Sequence, residues 1–148
     1  MFTKATEYAL RASIYIAANS SESKRLGIDE ISAAIGSPKP FTAKVLQALC
    51  RNNELVSSVK GPGGGFYMTE RARKFPAKKI IDAMGEGTVL SKCVLGLPKC
   101  SEEKPCPMHH EYRFIKAKLI HLFDSTSIAE LATDSRISKI YLKGSMQR

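Results

Sequence analysis

At 148 residues, with 43% hydrophobic and 25% charged side chains, the chain is long enough for one compact domain with an appended element. It is too short for two full-sized domains and not disordered in composition. A formal net charge of +9 and a pI near 9.5 point to a polyanionic partner, nucleic acid ahead of an anionic membrane surface. No apolar run approaches the roughly 20 residues that cross a bilayer, so no membrane span is expected.

"ASIYIAAN" follows Lys4, Glu7 and Arg11 and reads as part of a helix rather than an export signal. From Thr6 to Asn19 the apolar residues Ala9, Leu10, Ala12, Ile14, Ile16 and Ala17 lie dense among helix formers. Glu7 stands where the helix dipole favours an acid, and a first helix is expected here. "SSESKRLG" is a polar loop. In "IDEISAAIG", Ile28, Ile31 and Ile35 recur at helical spacing, giving a short second helix that Gly36 stops. "SPKPFTAKVLQALCRNNE" opens with Ser37 as N-cap and Pro38 in the first turn, then sets Phe41, Val45, Leu46 and Leu49 on one face. This third helix follows the second through a tight connection of the helix-turn-helix kind.

In "LVSSVKGPGGGFYMT" the period changes, and residues 56–59 and 66–69 read as strands joined by a glycine-rich turn. The expected fold is mainly α with a small β-hairpin wing: a winged helix-turn-helix over residues 1–75 plus a long dimerisation helix. After the polar "ERARKFPAKK", a connecting segment 76–92 carries a short helix around Lys79 to Met84, ended by Gly85. Residues 93–110 form a cysteine-rich loop that Gly96, Pro98, Pro105 and Pro107 keep irregular. Beyond it Tyr112, Ile115, Leu119, Leu122 and Phe123 mark a long helix whose apolar face is too large for a lone element to leave in water. Residues 111–148 are therefore assigned to homodimerisation and a basic tail that frays. Within them Ser127 and Glu130 form a capping box before a short helix, "IAELAT".

The exposed N-terminal side of the third helix offers Lys39, Thr42, Ala43 and Lys44 to the major groove, with Gln47 one turn on. Its N-terminus, with free backbone N–H groups, would suit phosphates, although an ordinary solvated face would look the same. Lys60 starts "KGPGGG", where Gly63 and Gly64 let the backbone approach a phosphate or the minor groove without a clash. A bare flexible turn is the alternative, and no phosphate-loop pattern follows. A dimer of such heads calls for a palindromic operator in double-stranded DNA.

Cys93 to His110 gathers three of the four cysteines and two of the three histidines, spaced C-x6-C-x5-C-x2-H as far as His109. These gaps are too wide for the closely spaced pairs of structural zinc sites. An iron–sulfur cluster, 2Fe–2S or 4Fe–4S, is larger, and Cys93, Cys100 and Cys106 on an irregular loop can wrap it. In a reducing cytoplasm, clustered thiols speak for metal or redox chemistry rather than disulfides. The fourth ligand stays open between His109, favoured by spacing, its neighbour His110, and a carboxylate such as Glu7 reaching across a dimer. Cys50 stands apart as a small buried hydrophobe, and His121 as a surface residue.

"TKATEYALRASIYIA", "LVSSVKGPGGGF", the three-cysteine loop and "SIAEL" together resemble the IscR/NsrR type of winged-helix bacterial transcription regulators, the Rrf-two family, over nearly the whole chain. The resemblance implies dimers paired through the long helix, DNA bound by the third helix and the wing, and in many members an iron–sulfur cluster whose state alters DNA binding. By position it makes Cys93, Cys100 and Cys106 cluster ligands. It sets His109 where IscR-like members have their histidine, and Glu7 where NsrR-like members place an acidic ligand to the partner's cluster. The sequence departs from that pattern in its x6 gap between the first two cysteines where x5 is common, in "RNNE" where a glycine usually precedes "LV", and in Pro38, Lys39, Pro40 and Ala43. The expected function is that of a cytoplasmic, homodimeric DNA-binding repressor, not an enzyme, sensing nitric oxide, oxidants or iron status. The alternatives are a cluster-free member responding to a small molecule or thiol oxidation, and an iron–sulfur electron carrier or redox enzyme.

Overall fold

In the computed structural model the described residues are 1–99, 101–138 and 142. Helix α1 (Lys4–Asn19) begins ahead of Thr6 because Thr3, in extended backbone, supplies the cap and its hydroxyl accepts from the Thr6 N–H at 3.3 Å. The Glu86 carboxylate sits on the same helix end, accepting from the Thr3 N–H at 3.1 Å, the Thr3 hydroxyl, and the Thr6 hydroxyl at 2.9 Å. An acid is favoured there by the dipole. The Thr3 hydroxyl, and then Thr6, hold Glu86 below the usual carboxylate range.

Helix α2 (Ile28–Ile35) ends as expected at Gly36, whose φ of 70° is left-handed. Helix α3 (Lys39–Leu49) starts later than its sequence signal. Pro38, not Ser37, holds the N-cap position and Pro40 lies in the first turn, while the buried Ser37 hydroxyl donates to the Pro38 carbonyl at 3.4 Å. Pro38 itself pushes Ser37 out of the α region, and Pro40 is tolerated where a helix needs no N–H.

A 3₁₀ turn at Arg51–Asn53 leads to strands β1 (Ser57–Val59) and β2 (Gly65–Tyr67). They pair antiparallel, Ser57 opposite Tyr67 and Val59 opposite Gly65. Leu26, in the polar loop, adds a further rung, exchanging N–H and carbonyl bonds of 2.8 Å with Phe66. The run read as a polar linker holds one turn of helix, α4 (Glu70–Arg73), which Thr69 caps by accepting from the Ala72 N–H. From it Arg73 donates to the carbonyls of Ala17 at 3.0 Å, Met68 at 2.7 Å, and Ser20. Helix α5 (Lys78–Ala83) and a 3₁₀ turn at Gly87–Leu90 precede the cysteine loop, followed by α6 (His109–Ser125) and α7 (Ile128–Ser138).

Helix α1 is central, and its small residues Ala9 and Ala12 let neighbours close in. Ile16, Ile31, Ile35, Val45, Leu46, Val56, Met68 and Ile80 fill the core around it. Its most extensive contact is with α7, which runs beyond the expected "IAELAT" and sends Ile128 and Ala132 into that core. Backbone bonds tie the approach to α7 onto the head, Ala77 N–H to Thr126 at 2.8 Å and Ile128 N–H to Phe75 at 3.0 Å. Ser127 accepts from the Glu130 N–H at 3.1 Å, one half of the expected capping box. The chain thus leaves the head along α6 and returns to it. On α6, Phe123 packs edge-on to Phe2 at 5.7 Å, and Lys116 donates to the Ser91 carbonyl at 3.1 Å. Phe114, Ile115 and Leu122 stand exposed.

Candidate nucleic-acid interface and cysteine loop

Helix α3 presents Lys39, Pro40, Phe41, Ala43, Lys44 and Gln47 to solvent. Thr42, expected on that face, is fully buried, and its hydroxyl donates to the Pro38 carbonyl at 3.0 Å, so it belongs to the start of the helix and not to its outer surface. The expectation of a phosphate-gripping N-terminus also needs correction. Pro38 and Pro40 remove two of the backbone N–H groups that such a terminus offers. Lys39 pairs with Asp29 of α2 at 2.9 Å, leaving Lys44 and Gln47 one turn on.

In the hairpin, Lys60 and Gly63 are exposed, and Gly63, at φ 73°, has open space where a side chain would stand. Gly64 is different. Its N–H bonds to the Gly61 carbonyl at 2.9 Å, and a Cβ there would lie 2.2 Å from the Val59 carbonyl oxygen. Gly64 therefore serves the turn itself, whereas the sequence placed it with Gly63 as an approach for ligand. Arg25, which the sequence reading passed over, reaches to the wing: its guanidinium lies 3.5 Å from the Gly63 carbonyl and 5.8 Å from the Tyr67 ring centroid. The signal available for it was a basic residue beside an apolar Leu26 in an otherwise polar loop.

The cysteine loop begins and ends on buried thiols, Cys93 and Cys106. Backbone N–H groups of Leu97 and Leu95, with smaller help from the Cys106 thiol and Gly96, point at the Cys93 sulfur and lower its pKa. Gly96, at φ 75°, makes that curl possible. Cys106 and His109 are joined by a backbone bond of 3.0 Å that starts α6. His109 is buried, its Nε2 3.3 Å from Glu102, which also accepts from Arg113 at 2.9 Å. Those two donors, Arg113 foremost, hold Glu102 below the usual carboxylate range. His110 is exposed and packs edge-on to His109 at 5.7 Å.

Glu7 lies in the first turn of α1, 3.7 Å from Lys4. Cys50 caps α3 half-buried, and burial pushes its thiol up to about 11. Cys100 lies outside the described residues. Among the described residues, no three His, Cys, Asp or Glu side chains gather closely enough to hold a metal ion. Nor is any described helix long and apolar enough to cross a membrane.

A tri-helical head with a hairpin beside its third helix defines a winged helix-turn-helix protein. The family model Rrf2, described as an iron-dependent transcriptional regulator, matches residues 2–134. The chain belongs to the Rrf2 family and is a transcriptional regulator of that DNA-binding family. It is 34% identical to a chain of Aquifex aeolicus assigned as an HTH-type transcriptional regulator, over 88% of this chain and 90% of that one. It is 28% identical to the regulator IscR of Klebsiella pneumoniae, over 91% and 81% of the two chains. Among solved structures it resembles CymR, the global cysteine regulator of B. subtilis, with a TM-score of 0.73 at 20% identity, covering 90% of this chain and 96% of that one. At that identity the likeness is one of fold.

Proposed function

We propose that the chain acts as a homodimeric repressor that binds a palindromic operator through α3 and the wing, and whose grip is set by an iron–sulfur cluster in the cysteine loop. The observation that carries this reading is the meeting of Cys93 and Cys106, two buried thiols whose contact closes the loop beside His109. Their surroundings support that reading. Backbone N–H groups aimed at a sulfur stabilise its thiolate and are a means by which proteins tune such centres. Cys100 completes the thiolate set in the proposal, with His109 of the same chain or Glu7 of the partner subunit as fourth ligand.

When bound, the cluster supplies iron that nitric oxide, oxidants or iron shortage can strip or modify. The protein side of the response follows from the chain's own contacts. Glu102 ties the loop to α6 through Arg113 and faces His109. The exposed Phe114, Ile115 and Leu122 of α6 form the face that a second copy covers. A change in loop shape then alters the spacing of two reading heads joined through α6.

The test is anaerobic purification with iron and sulfide quantification, absorption and paramagnetic resonance spectroscopy. Wild type and Cys50→Ala should carry equal cluster, and Cys93→Ala, Cys100→Ala and Cys106→Ala little or none. Loss with His109→Ala but not Glu7→Gln supports ligation within one chain, and the reverse puts the carboxylate of the partner subunit at the site. A wild type that takes up no iron or sulfide under reducing reconstitution, yet binds its operator, would replace this reading with that of a cluster-free regulator.

A further inference from the structure

The head of α3 is apolar where a reading helix usually carries hydrogen-bonding side chains. Pro38, Pro40, Phe41 and Lys44 line a shallow recess of about 300 Å³, and Ala43 is exposed beside them. None of the first three can donate to or accept from a base edge through its side chain, and the one hydroxyl in the turn, Thr42, is already bonded to Pro38. Phe41 is nonetheless held in place. The residue is 37% exposed and its ring stands edge-on to buried Tyr8 at 5.4 Å, and Tyr8 is in turn flanked by the Arg11 guanidinium at 5.3 Å. An aromatic side chain fixed this way loses little freedom when something is pressed against it.

We propose that this recess reads thymine 5-methyl groups in the major groove. The inference rests on DNA binding by α3 as proposed above. Of the groups displayed along the major groove the thymine methyl is the apolar one, and Phe and Ala side chains pair with it. The residues at the start of a reading helix are the ones that meet base edges. Charge decides the occupant. Lys44 lines the recess on a chain of net charge +9, which suits a methyl carried on a polyanion better than an apolar segment of another protein. The two prolines fit the same purpose, since they give up backbone donors for apolar surface.

The experiment uses the full chain and a duplex pool with a randomised core, from which bound sequences are enriched. Each thymine of the selected site is then replaced in turn by deoxyuridine, which keeps the pairing and the groove hydrogen bonds and removes only the methyl. Affinity should fall about fourfold for each methyl seated in the recess. In Phe41→Ala that thymine-to-uracil ratio should shrink toward one, while Phe41→Leu, which keeps an apolar side chain, should restore most of it. The ratio is taken within each variant, so a partly destabilised fold cancels. A selected site whose deoxyuridine copies bind as tightly as the thymine duplex overturns the methyl reading and leaves DNA binding standing. An undiminished ratio in Phe41→Ala overturns the placement at this recess. Failure to enrich any sequence over a scrambled duplex removes both the methyl reading and the DNA reading beneath it.

Discussion

Replacing Gly64 with alanine places a methyl carbon 2.2 Å from the Val59 carbonyl oxygen and 2.8 Å from that of Gly61. Ordinary carbon–oxygen contacts begin near about 3.3 Å, so the hairpin must open by roughly 1 Å. Both obstructing atoms are backbone, and the Gly64 N–H is itself bonded to Gly61 at 2.9 Å, so relief means loosening the turn and its bond. Overpacking of this kind costs about 1–3 kcal/mol, and the lost turn bond about 1 kcal/mol more. Gly63→Ala is the internal control. It meets no atom within 4 Å and bears only left-handed strain at φ 73°, about 1–2 kcal/mol.

Urea unfolding followed by circular dichroism should therefore rank Gly64→Ala as the more damaging change. The main core lies around α1, so the variant should stay folded with normal helix content. Its DNA affinity should drop at low salt because the wing no longer presents Lys60 and Gly63 in one pose. A stability for Gly64→Ala within about 0.5 kcal/mol of wild type, the range of neutral surface changes, would refute the reasoning, as would a larger loss in Gly63→Ala.

Ile128→Ala should cost about 2–5 kcal/mol, because Ile128 is fully buried against α1, and limited proteolysis should then cut near Thr126, whose carbonyl binds Ala77. Cleavage no faster than in wild type would show that α7 does not depend on that anchor. Leu122→Glu puts a carboxylate on the exposed face of α6 that is proposed to pair with a second copy, and should leave the chain monomeric in sedimentation at micromolar concentration where wild type is dimeric, whereas a dimeric variant would move the proposed interface elsewhere. Glu86 has a folded pKa below its ordinary value of 4.5, so its contribution is complete above that value and is lost as pH falls through the lower folded one. Glu86→Gln should accordingly lower the urea midpoint at neutral pH and converge on wild type in acid. An equal gap at both pH values would mean that the carboxylate charge at the α1 N-terminus is not what stabilises it.

The elements legible in the sequence are those whose signal is local. Ile28, Ile31 and Ile35 announce α2 by spacing and Gly36 by its freedom at positive φ. The glycine-rich turn announces the hairpin. What escaped depends on partners distant in the chain. Arg73 looks like one charge in a polar run, yet it binds carbonyls 53 and 56 residues earlier. The docking of α7 on α1 left little trace, because small residues such as Ala132 pack well without advertising a strong apolar stripe. Thr42 misled for a different reason. A hydroxyl that bonds the carbonyl four residues back needs no solvent, and only the backbone course fixed by Pro38 and Pro40 shows that it turns inward. At the cysteine loop the spacing singled out Cys93, Cys106 and His109 as candidates, but Glu102 was invisible because its two partners lie seven and eleven residues on, in α6.

These contacts give α1 a particular mechanical position. Its N-terminus is held by Glu86 of the segment leading into the cysteine loop, the residue before its cap is packed on Phe123 of α6, and its second turn sets Tyr8 against Phe41 of α3. Helices α3 and α6 are therefore both referenced to one end of the same rod. A displacement of α6 that arose at His109 would meet Phe2 and the α1 cap before it met the head as a whole. Packed side chains of this kind transmit movement only if they have alternative arrangements. At the Tyr8–Phe41 pair a buried ring holds an exposed one in place, whereas Phe2 and Phe123 are both only partly buried, so the Phe2–Phe123 contact is the freer of the two to rearrange.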